Sequence, residues 1–483
     1  MIKLIKEKFT HNKESFQLYL GNSLISIFNF LSIALLSHVL IPNEYGYFRY
    51  ILMITSIAIS IGSLGFALSI YYYLTKSSTA QQAYNYINAL RIGLLFSTIA
   101  VVIGLYIYQL IWGNTSEMLD WNKYSFWVIL LIIPGIFQSV DLNIFLSMKR
   151  VGVYFLNTLT ILTIKFALLF IAYTVKASLI HYLLILGVLG ALPSIFNNIY
   201  IQKVFWEEKF QWSWTELKQL WAYGLPIGMG LFFGIIMTHA DKLMLSLVFK
   251  DPISIARISN GNFEIPLITV FYTSFSAIAF PFMMKEYNNN NIAGFLEIRR
   301  KYQKEVVLIL FPIVLALISW APSLVSLAFG SFYQSSAVFF VIYAATFFYR
   351  FSSYHDVFLI TGKTRYISLI QGVELIFHVV LTYFLVKQYG LIGASIAHLI
   401  TNTIYVYVCT FISKAILGVR MIDVLPFWYL YKIFFIAAVL MFPFYFTSEY
   451  FDSNIVKLIF AGIYVVSCIL ILYKLEQKKT SKE

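Results

Sequence analysis

Leu220-Trp221-Ala222-Tyr223-Gly224-Leu225-Pro226 opens a run that continues through His239-Ala240-Asp241-Lys242 to Ile255-Ala256-Arg257. It is apolar over a length that crosses a bilayer, which takes about 20 residues. Yet it carries an adjacent acid and base near the far end of the crossing and an arginine just beyond. A charge at such a depth costs about 2.5 to 3.5 kcal/mol on insertion scales, so these residues are expected to be paired or functional. A span of this kind does more than anchor the chain.

Of the 483 residues, 60% are hydrophobic and 12% charged, and the mean hydropathy is +0.78. A soluble domain carries roughly a quarter of its residues charged. The chain is therefore an all-α polytopic membrane protein. Its net charge of +13 does not point to nucleic acid, because excess Lys and Arg in a membrane protein normally sit in cytoplasmic loops facing anionic lipid. Cys409 and Cys468 lie in apolar runs and are too few for a disulfide framework or a Cys-rich metal site. The chain lacks a P-loop, so direct nucleotide use is not expected. No cofactor and no metal are expected, and an H+ or Na+ gradient or the membrane potential remains as the energy source. The first apolar stretch follows the basic residues 1–13 and has no cleavage site, so it is expected to be a transmembrane helix, not a cleaved signal.

About fourteen spans follow from the length criterion. Six lie near 18–40, 50–74, 90–112, 124–148, 152–175 and 178–202. Six more lie near 223–249, 258–283, 306–329, 336–361, 367–386 and 391–416, and two near 430–446 and 455–473. With the amino terminus in the cytoplasm, most Lys and Arg fall on cytoplasmic segments. Lys3, Lys6, Lys8 and Lys13 then share a side with Lys474, Lys478, Lys479 and Lys482, and both termini are expected inside. The segment with Trp206, Glu207, Glu208, Trp212 and Trp214 is expected to be interfacial. The longest break, 284–305, carries Lys285, Arg299, Arg300, Lys301 and Lys304.

A faint repeat divides the spans. Phe145-Leu146 followed by Lys149-Arg150 resembles Phe358-Leu359 followed by Lys363 and Arg365, and Glu44 to Arg49 sits where Asp251 to Arg257 does in the second half. Internal repeats in transporters form two bundles around a central site. The expected organisation is two pseudo-symmetric six-helix lobes, 1–216 and 217–418, around a central cavity, with two C-terminal helices and a basic tail at 419–483.

Glu44-Tyr45-Gly46, Tyr223-Gly224-Leu225-Pro226, Asp241-Lys242, Phe329-Gly330 with Tyr333, Gly362-Lys363, and Tyr389-Gly390-Leu391-Ile392-Gly393-Ala394-Ser395-Ile396-Ala397 occur in an order that spans nearly the whole chain. In that order they resemble the polysaccharide transport branch, the Wzx-type flippases, of the multidrug, oligosaccharidyl-lipid and polysaccharide exporter superfamily. Each motif is degenerate, and it is the order and spacing that are specific. The resemblance implies alternating access and translocation of an undecaprenyl-diphosphate-linked oligosaccharide to the periplasmic leaflet of a bacterial inner membrane. It also implies a place in O-antigen, capsule or exopolysaccharide biosynthesis, with a polymerase and a chain-length regulator as partners beside the lipid.

Such a substrate needs a cationic cavity, and arginine suits it because its fork binds phosphate oxygens bidentately at any depth. Arg49 and Arg257 occupy matching positions in the two halves and resemble cationic positions lining the cavity of related flippases, including the peptidoglycan precursor flippase. Snorkelling to the head groups is their bland alternative. Arg350, mid-span, is expected either to bind substrate or to pair with an acid such as Glu374. Lys242 is a further substrate-binding candidate, and Asp241 is expected to be structural, since neighbours in a helix point about 100° apart. His355, Asp356, Glu374 and His378 form a titratable set suited to ion coupling or to a plain interhelical contact. Lys165 and Glu264 are single charges with no evident partner, and Asp141 lies toward the cytoplasmic half of the fourth span.

A multidrug antiporter of the same superfamily is the nearest alternative function. A membrane polymerase, ligase or acyltransferase would need a catalytic constellation at the surface, and the extracytoplasmic loops are short and poor in His, Asp and Arg. The chain is therefore not expected to be an enzyme.

Overall fold

The computed structural model describes residues 13–112, 119–211 and 214–480. Lys3, Lys6, Lys8, Trp212 and Lys482 lie outside the described residues. Among those described there are helices and no strands, as hydrocarbon requires of a chain whose backbone must satisfy itself within each segment. Thirteen helical segments are long and apolar enough to cross a membrane. The helices pack as two units, one up to Ala256 and one from Arg257.

The first unit holds α1 (Lys13–Val39), α2 (Pro42–Gly62), α3 (Phe66–Lys76), α4 (Ala80–Trp112), α5 (Trp121–Ser147), α6 (Val151–Thr174), α7 (Leu179–Val204) and α8 (Trp214–Val248). The second expected span, at 50–74, is thus two helices, joined at 63–65. Gly65 there has φ +74°, a conformation costly to any residue with a Cβ. The break also lets another backbone approach. A Cβ on Gly65 would lie 1.8 Å from the Gly224 carbonyl oxygen, and one on Gly228 would lie 2.4 Å from the Gly65 nitrogen. Gly224-Leu225-Pro226 directly precedes the membrane-length segment Gly228–Val248. It lies inside α8, where glycines allow α8 to press onto the α2–α3 junction. The 214–248 helix falls in the first of the two compact units.

The change of unit falls within α9 (Pro252–Gly261). The second unit continues with α10 (Pro266–Asn288), α11 (Ile292–Ser319), α12 (Ala321–Phe329), α13 (Ala337–Ala345), α14 (Asp356–Ile360), α15 (Arg365–Tyr389), α16 (Leu391–Leu417), α17 (Met421–Val424), α18 (Phe427–Glu449) and α19 (Asn454–Thr480). Two 3-10 segments, Ser331–Ser336 and Thr346–Tyr349, flank α13. The expected eighth span, 258–283, is broken between Gly261 and Pro266. The chain bends at Asn262, and the proline at the start of α10 lacks the N–H needed to continue α9. The expected break at 284–305 is mostly helix, since α11 begins at Ile292. The two C-terminal helices pack on α11 and on each other, with Trp320 Nε1 donating to Ser448 Oγ at 2.8 Å.

The tenth span departs furthest from expectation. Instead of one helix over 336–361 it runs as α13, a 3-10 turn, an irregular stretch at 350–355 and the short α14. One face of α11 holds this break. Tyr302 Oη accepts the Ser353 N–H at 2.9 Å, Gln303 Nε2 donates to Ser352 Oγ at 2.9 Å, and Arg299 Nη2 donates to Ser352 Oγ at 3.2 Å and to the Ser353 carbonyl at 3.4 Å. Positions 299, 302 and 303 follow the i, i+3, i+4 spacing that lines up side chains on a helix. Gln303 also donates to the Val424 carbonyl at 3.3 Å, which ties α17 to the same face. At α17, the Arg420 side chain donates to Asp423 Oδ2 at 3.2 Å, and this hydrogen bond holds the Asp423 carboxyl below the usual carboxylate range. That contribution is present above the unfolded pKa and is lost as pH falls through the folded one.

Tyr302→Phe deletes only the hydroxyl that receives the buried Ser353 N–H, which costs about 1–3 kcal/mol for an orphaned group. A lowered thermal midpoint in detergent is expected; a midpoint equal to the parent's would show that the break does not depend on α11.

Candidate functional site

The break in the tenth span opens a cavity of about 520 Å³ inside the second unit, within the size range of ligand pockets. Arg350, His355 and Asp356 line it from the break, Tyr272 and Ser276 from α10, and Asn402 and Tyr405 from α16. Three of the residues expected to act, Arg350, His355 and Asp356, are therefore brought together. Discontinuous helices of this kind commonly form the polar sites of transporters, because irregular backbone is tolerated at membrane depth only where it is buried in protein or lines a cavity.

Arg350 Nη2 donates to Glu264 Oε1 at 2.8 Å. The expectation of Glu374 as its partner is thus corrected: Glu264, in the link between α9 and α10, takes that place. Tyr343 Oη donates to the same carboxylate oxygen at 3.2 Å. The Arg350 guanidinium also lies 4.6 Å from the Phe347 ring centroid and 6.0 Å from that of Tyr272. Glu264 is accordingly not a single charge.

The four titratable residues expected as one set divide. His355 Nε2 meets the Tyr405 hydroxyl, and the Asp356 carboxylate accepts from Ser276 Oγ at 3.4 Å. Asp356 also lies within electrostatic reach of Arg299. Neither Glu374 nor His378 lines the cavity. Glu374 is half-buried, its charge felt by Tyr405 and Cys409. His378 is fully buried, its Nδ1 3.2 Å from Thr401 Oγ1, and its ring meets that of His398 edge-on at 5.8 Å. His398 in turn packs on Tyr343 at 5.0 Å and places Nε2 3.1 Å from Asn402 Nδ2. Hydrogen bonds thus link Arg350, Glu264 and Tyr343, and ring packing continues from Tyr343 to His398 and on to His378.

In the first unit, Arg49 and Lys242 share one neighbourhood, since His239 lies within electrostatic reach of both. Arg49 Nη1 donates to Tyr45 Oη at 3.5 Å. Lys242 and Asp241 are both buried. Arg257, in the second unit, lies 5.7 Å from the Phe332 ring centroid, and its Nε makes no hydrogen bond among the described residues.

Asp141 is also paired, accepting from Asn197 Nδ2 at 3.0 Å, with Arg91 within electrostatic reach. Each unit sets an arginine near an aspartate further along the chain, Arg91 of α4 near Asp141 of α5 and Arg299 of α11 near Asp356 of α14. Sequence reasoning missed Arg299, which it placed in a loop, and Asn402 and Tyr405, which sit at helical spacing after His398 on the twelfth span.

No family model matches the chain, and no curated protein matches its sequence. Solved structures match its course through space. A structure described as lipid II flippase MurJ in an inward closed conformation is 15% identical, covers 97% of this chain and 99% of its own, and superposes with a TM-score of 0.72. The fold is that of the MurJ and MATE transporters. An inward-facing multidrug resistance MATE family transporter of the MOP superfamily, 14% identical, covers 82% of this chain and 94% of its own at a TM-score of 0.61. The Vibrio cholerae MATE transporter VcmN, 12% identical, covers 85% and 97% at 0.54. The MurJ-like course thus extends over nearly all of the chain, whereas the two MATE structures leave 15% to 18% of it unmatched.

The Arg350–Glu264 contact predicts a particular pattern of losses. If the pair acts as a unit, Glu264→Gln and Arg350→Gln lower transport equally and the double variant is no worse than either. An Arg350→Gln defect much larger than that of Glu264→Gln would assign the arginine a direct contact with the transported group.

Proposed function

We propose that the chain is a flippase that moves an undecaprenyl-diphosphate-linked oligosaccharide from the cytoplasmic to the outer leaflet of a bacterial inner membrane by alternating access, for surface polysaccharide biosynthesis. The observation that carries this reading is the match, over 97% of the chain, to a structure described as a lipid II flippase. The MATE structures, which support a multidrug antiporter as the second reading, cover 82% and 85% of it.

The physical demand is to carry a sugar diphosphate across about 30 Å of hydrocarbon. Desolvating the phosphates is the main barrier, and guanidinium groups replace the lost water with charge-assisted hydrogen bonds. Arg49, Arg257, Arg350 and Lys242 are the residues proposed to do this. His355 and Asp356, side by side in the cavity of the second unit, are proposed to couple turnover to a cation gradient, with Glu374 and His378 as the further titratable groups of the same unit and Asp241 as a structural acid. No chemical step on the substrate is required, so the protein is not proposed to be an enzyme. A polysaccharide polymerase and a chain-length regulator are the protein partners this role implies. Both termini are proposed to face the cytoplasm, where the excess of Lys and Arg meets anionic lipid.

The test is complementation in a host lacking its own oligosaccharide flippase. The parent is expected to restore surface polysaccharide, and Arg49→Ala and Arg257→Ala, present at parental levels, are expected to reduce it at least tenfold. Export by both variants equal to the parent's would remove these arginines from the diphosphate site.

A further inference from the structure

The cavity of the second unit holds more ring and hydroxyl than ion coupling needs. Three elements each present tyrosine to it: Tyr272 from α10, Tyr349 and Tyr354 from the broken span, and Tyr405 from α16. A tyrosine offers an apolar face and a polar tip. Two polar groups on the wall also keep bonding capacity that the described residues do not use. The Tyr272 hydroxyl makes no hydrogen bond among them. Asn402 bonds through Nδ2, 3.1 Å from His398 Nε2 and 3.3 Å from the His398 carbonyl, which leaves its Oδ1 to accept from a guest.

The charges around the cavity favour neither a phosphate nor an organic cation. Arg350 and Asp356 line it. Beyond the lining, Glu264 is bonded to Arg350 at 2.8 Å, Arg299 lies within electrostatic reach of Asp356, and Glu374 within reach of Tyr405. With histidine neutral, these two bases and three acids leave no positive excess to hold an anion. Ring faces attract cations, but the Arg350 guanidinium already lies 4.6 Å from the Phe347 centroid and 6.0 Å from that of Tyr272, and it repels a second cation. The guest that fits is uncharged, with hydroxyls for the polar groups and apolar faces for the rings. A pyranose has both, since its ring C–H groups form two apolar faces inside a rim of hydroxyls.

We propose that the cavity binds a neutral sugar residue of the carrier-linked oligosaccharide, packed on the tyrosine rings and hydrogen-bonded by Tyr272 and Asn402. The proposal rests on the flippase reading and adds where the glycan is recognised. A sugar leaving water must regain its hydrogen bonds, and a cavity of about 520 Å³ opened by a helix break supplies them at membrane depth. Arg350, its charge met by Glu264, then serves the head group at the sugar end, which narrows its part in holding the substrate.

The test measures binding to the full-length protein in lipid nanodiscs. The probes are polyprenyl diphosphate, bare or carrying glucose, galactose, N-acetylglucosamine or glucuronic acid. At least one neutral sugar is expected to tighten binding about tenfold over the bare lipid, the worth of one or two hydrogen bonds, and glucuronic acid is expected to give no gain. Tyr272→Phe, which keeps the ring, and Asn402→Ala should each remove most of that gain. The affinity ratio of sugar-bearing to bare lipid then falls toward one, whatever happens to the bare lipid. If Asn402→Ala fails to fold, Tyr272→Phe carries the test. No gain from any neutral sugar, a preference for glucuronic acid, or a ratio unchanged in Tyr272→Phe would each overturn the proposal. So would loss of the gain when tetraphenylphosphonium is added, which assigns the cavity to organic cations. Flipping of the same lipids in sealed vesicles is read separately. A parent that shows the gain but flips no lipid-linked sugar contradicts the flippase reading and leaves the sugar site standing. A parent that flips without the gain contradicts the sugar site alone.

Discussion

The hydrogen bonds that Arg299, Tyr302 and Gln303 make to Ser352 and Ser353 are what allow the tenth span to be broken. In hydrocarbon no water is at hand to satisfy a freed N–H or carbonyl, so a helix can unwind there only if side chains take over its backbone partners. One face of α11 does this, and Tyr354 Oη adds a bond to the Tyr349 carbonyl at 2.8 Å. The polar lining of the cavity in the second unit follows from that break. It turns Arg350 toward Glu264, sets His355 and Asp356 on the wall of one cavity, and leaves room for Tyr405 and Asn402 to face them. The same face of α11 holds α17, and α18 and α19 pack on α11. The two C-terminal helices thus rest on the element that keeps the break open.

The first unit breaks its second span by different means. There the freed space is filled by backbone, Gly65 against Gly224 and Gly228, with no side chain between. Close approach of two backbones is a packing solution suited to membranes, where small residues take the place that apolar burial has in water. Both units nonetheless set an arginine near an aspartate, Arg91 near Asp141 and Arg299 near Asp356.

The helical class and the approximate number of spans were legible because apolar length alone decides them. The helix breaks were not. Residues 50–74 are as apolar as an unbroken span, while 336–361 carry the polar run Arg350 to Asp356 without a Pro or Gly to mark a break, and only tertiary partners, glycines of α8 in the first case and a polar face of α11 in the second, stabilise the break. Arg299 escaped notice for a related reason: it sits in a basic stretch that has the composition of a cytoplasmic loop, and only the early start of α11 at Ile292 buries it. Arg350 and its neighbours were found because a charge deep in a span stands out at any level of detail. Its partner was not, since Glu264 is distant in sequence and lies in a link that had been assigned to a span.

The cavity of the second unit and the neighbourhood of Arg49 and Lys242 are the features that the proposed flippase reading puts to use. The most direct test is reconstitution of the purified protein into sealed vesicles that carry a polyprenyl-diphosphate-linked oligosaccharide in both leaflets, with a sugar-cleaving enzyme outside. The account predicts that the protein, given an imposed ion gradient or membrane potential, lets the external enzyme reach the sugar of the inner leaflet. It would be contradicted if, with a gradient or potential of either sign, the protected fraction stayed at that of protein-free vesicles.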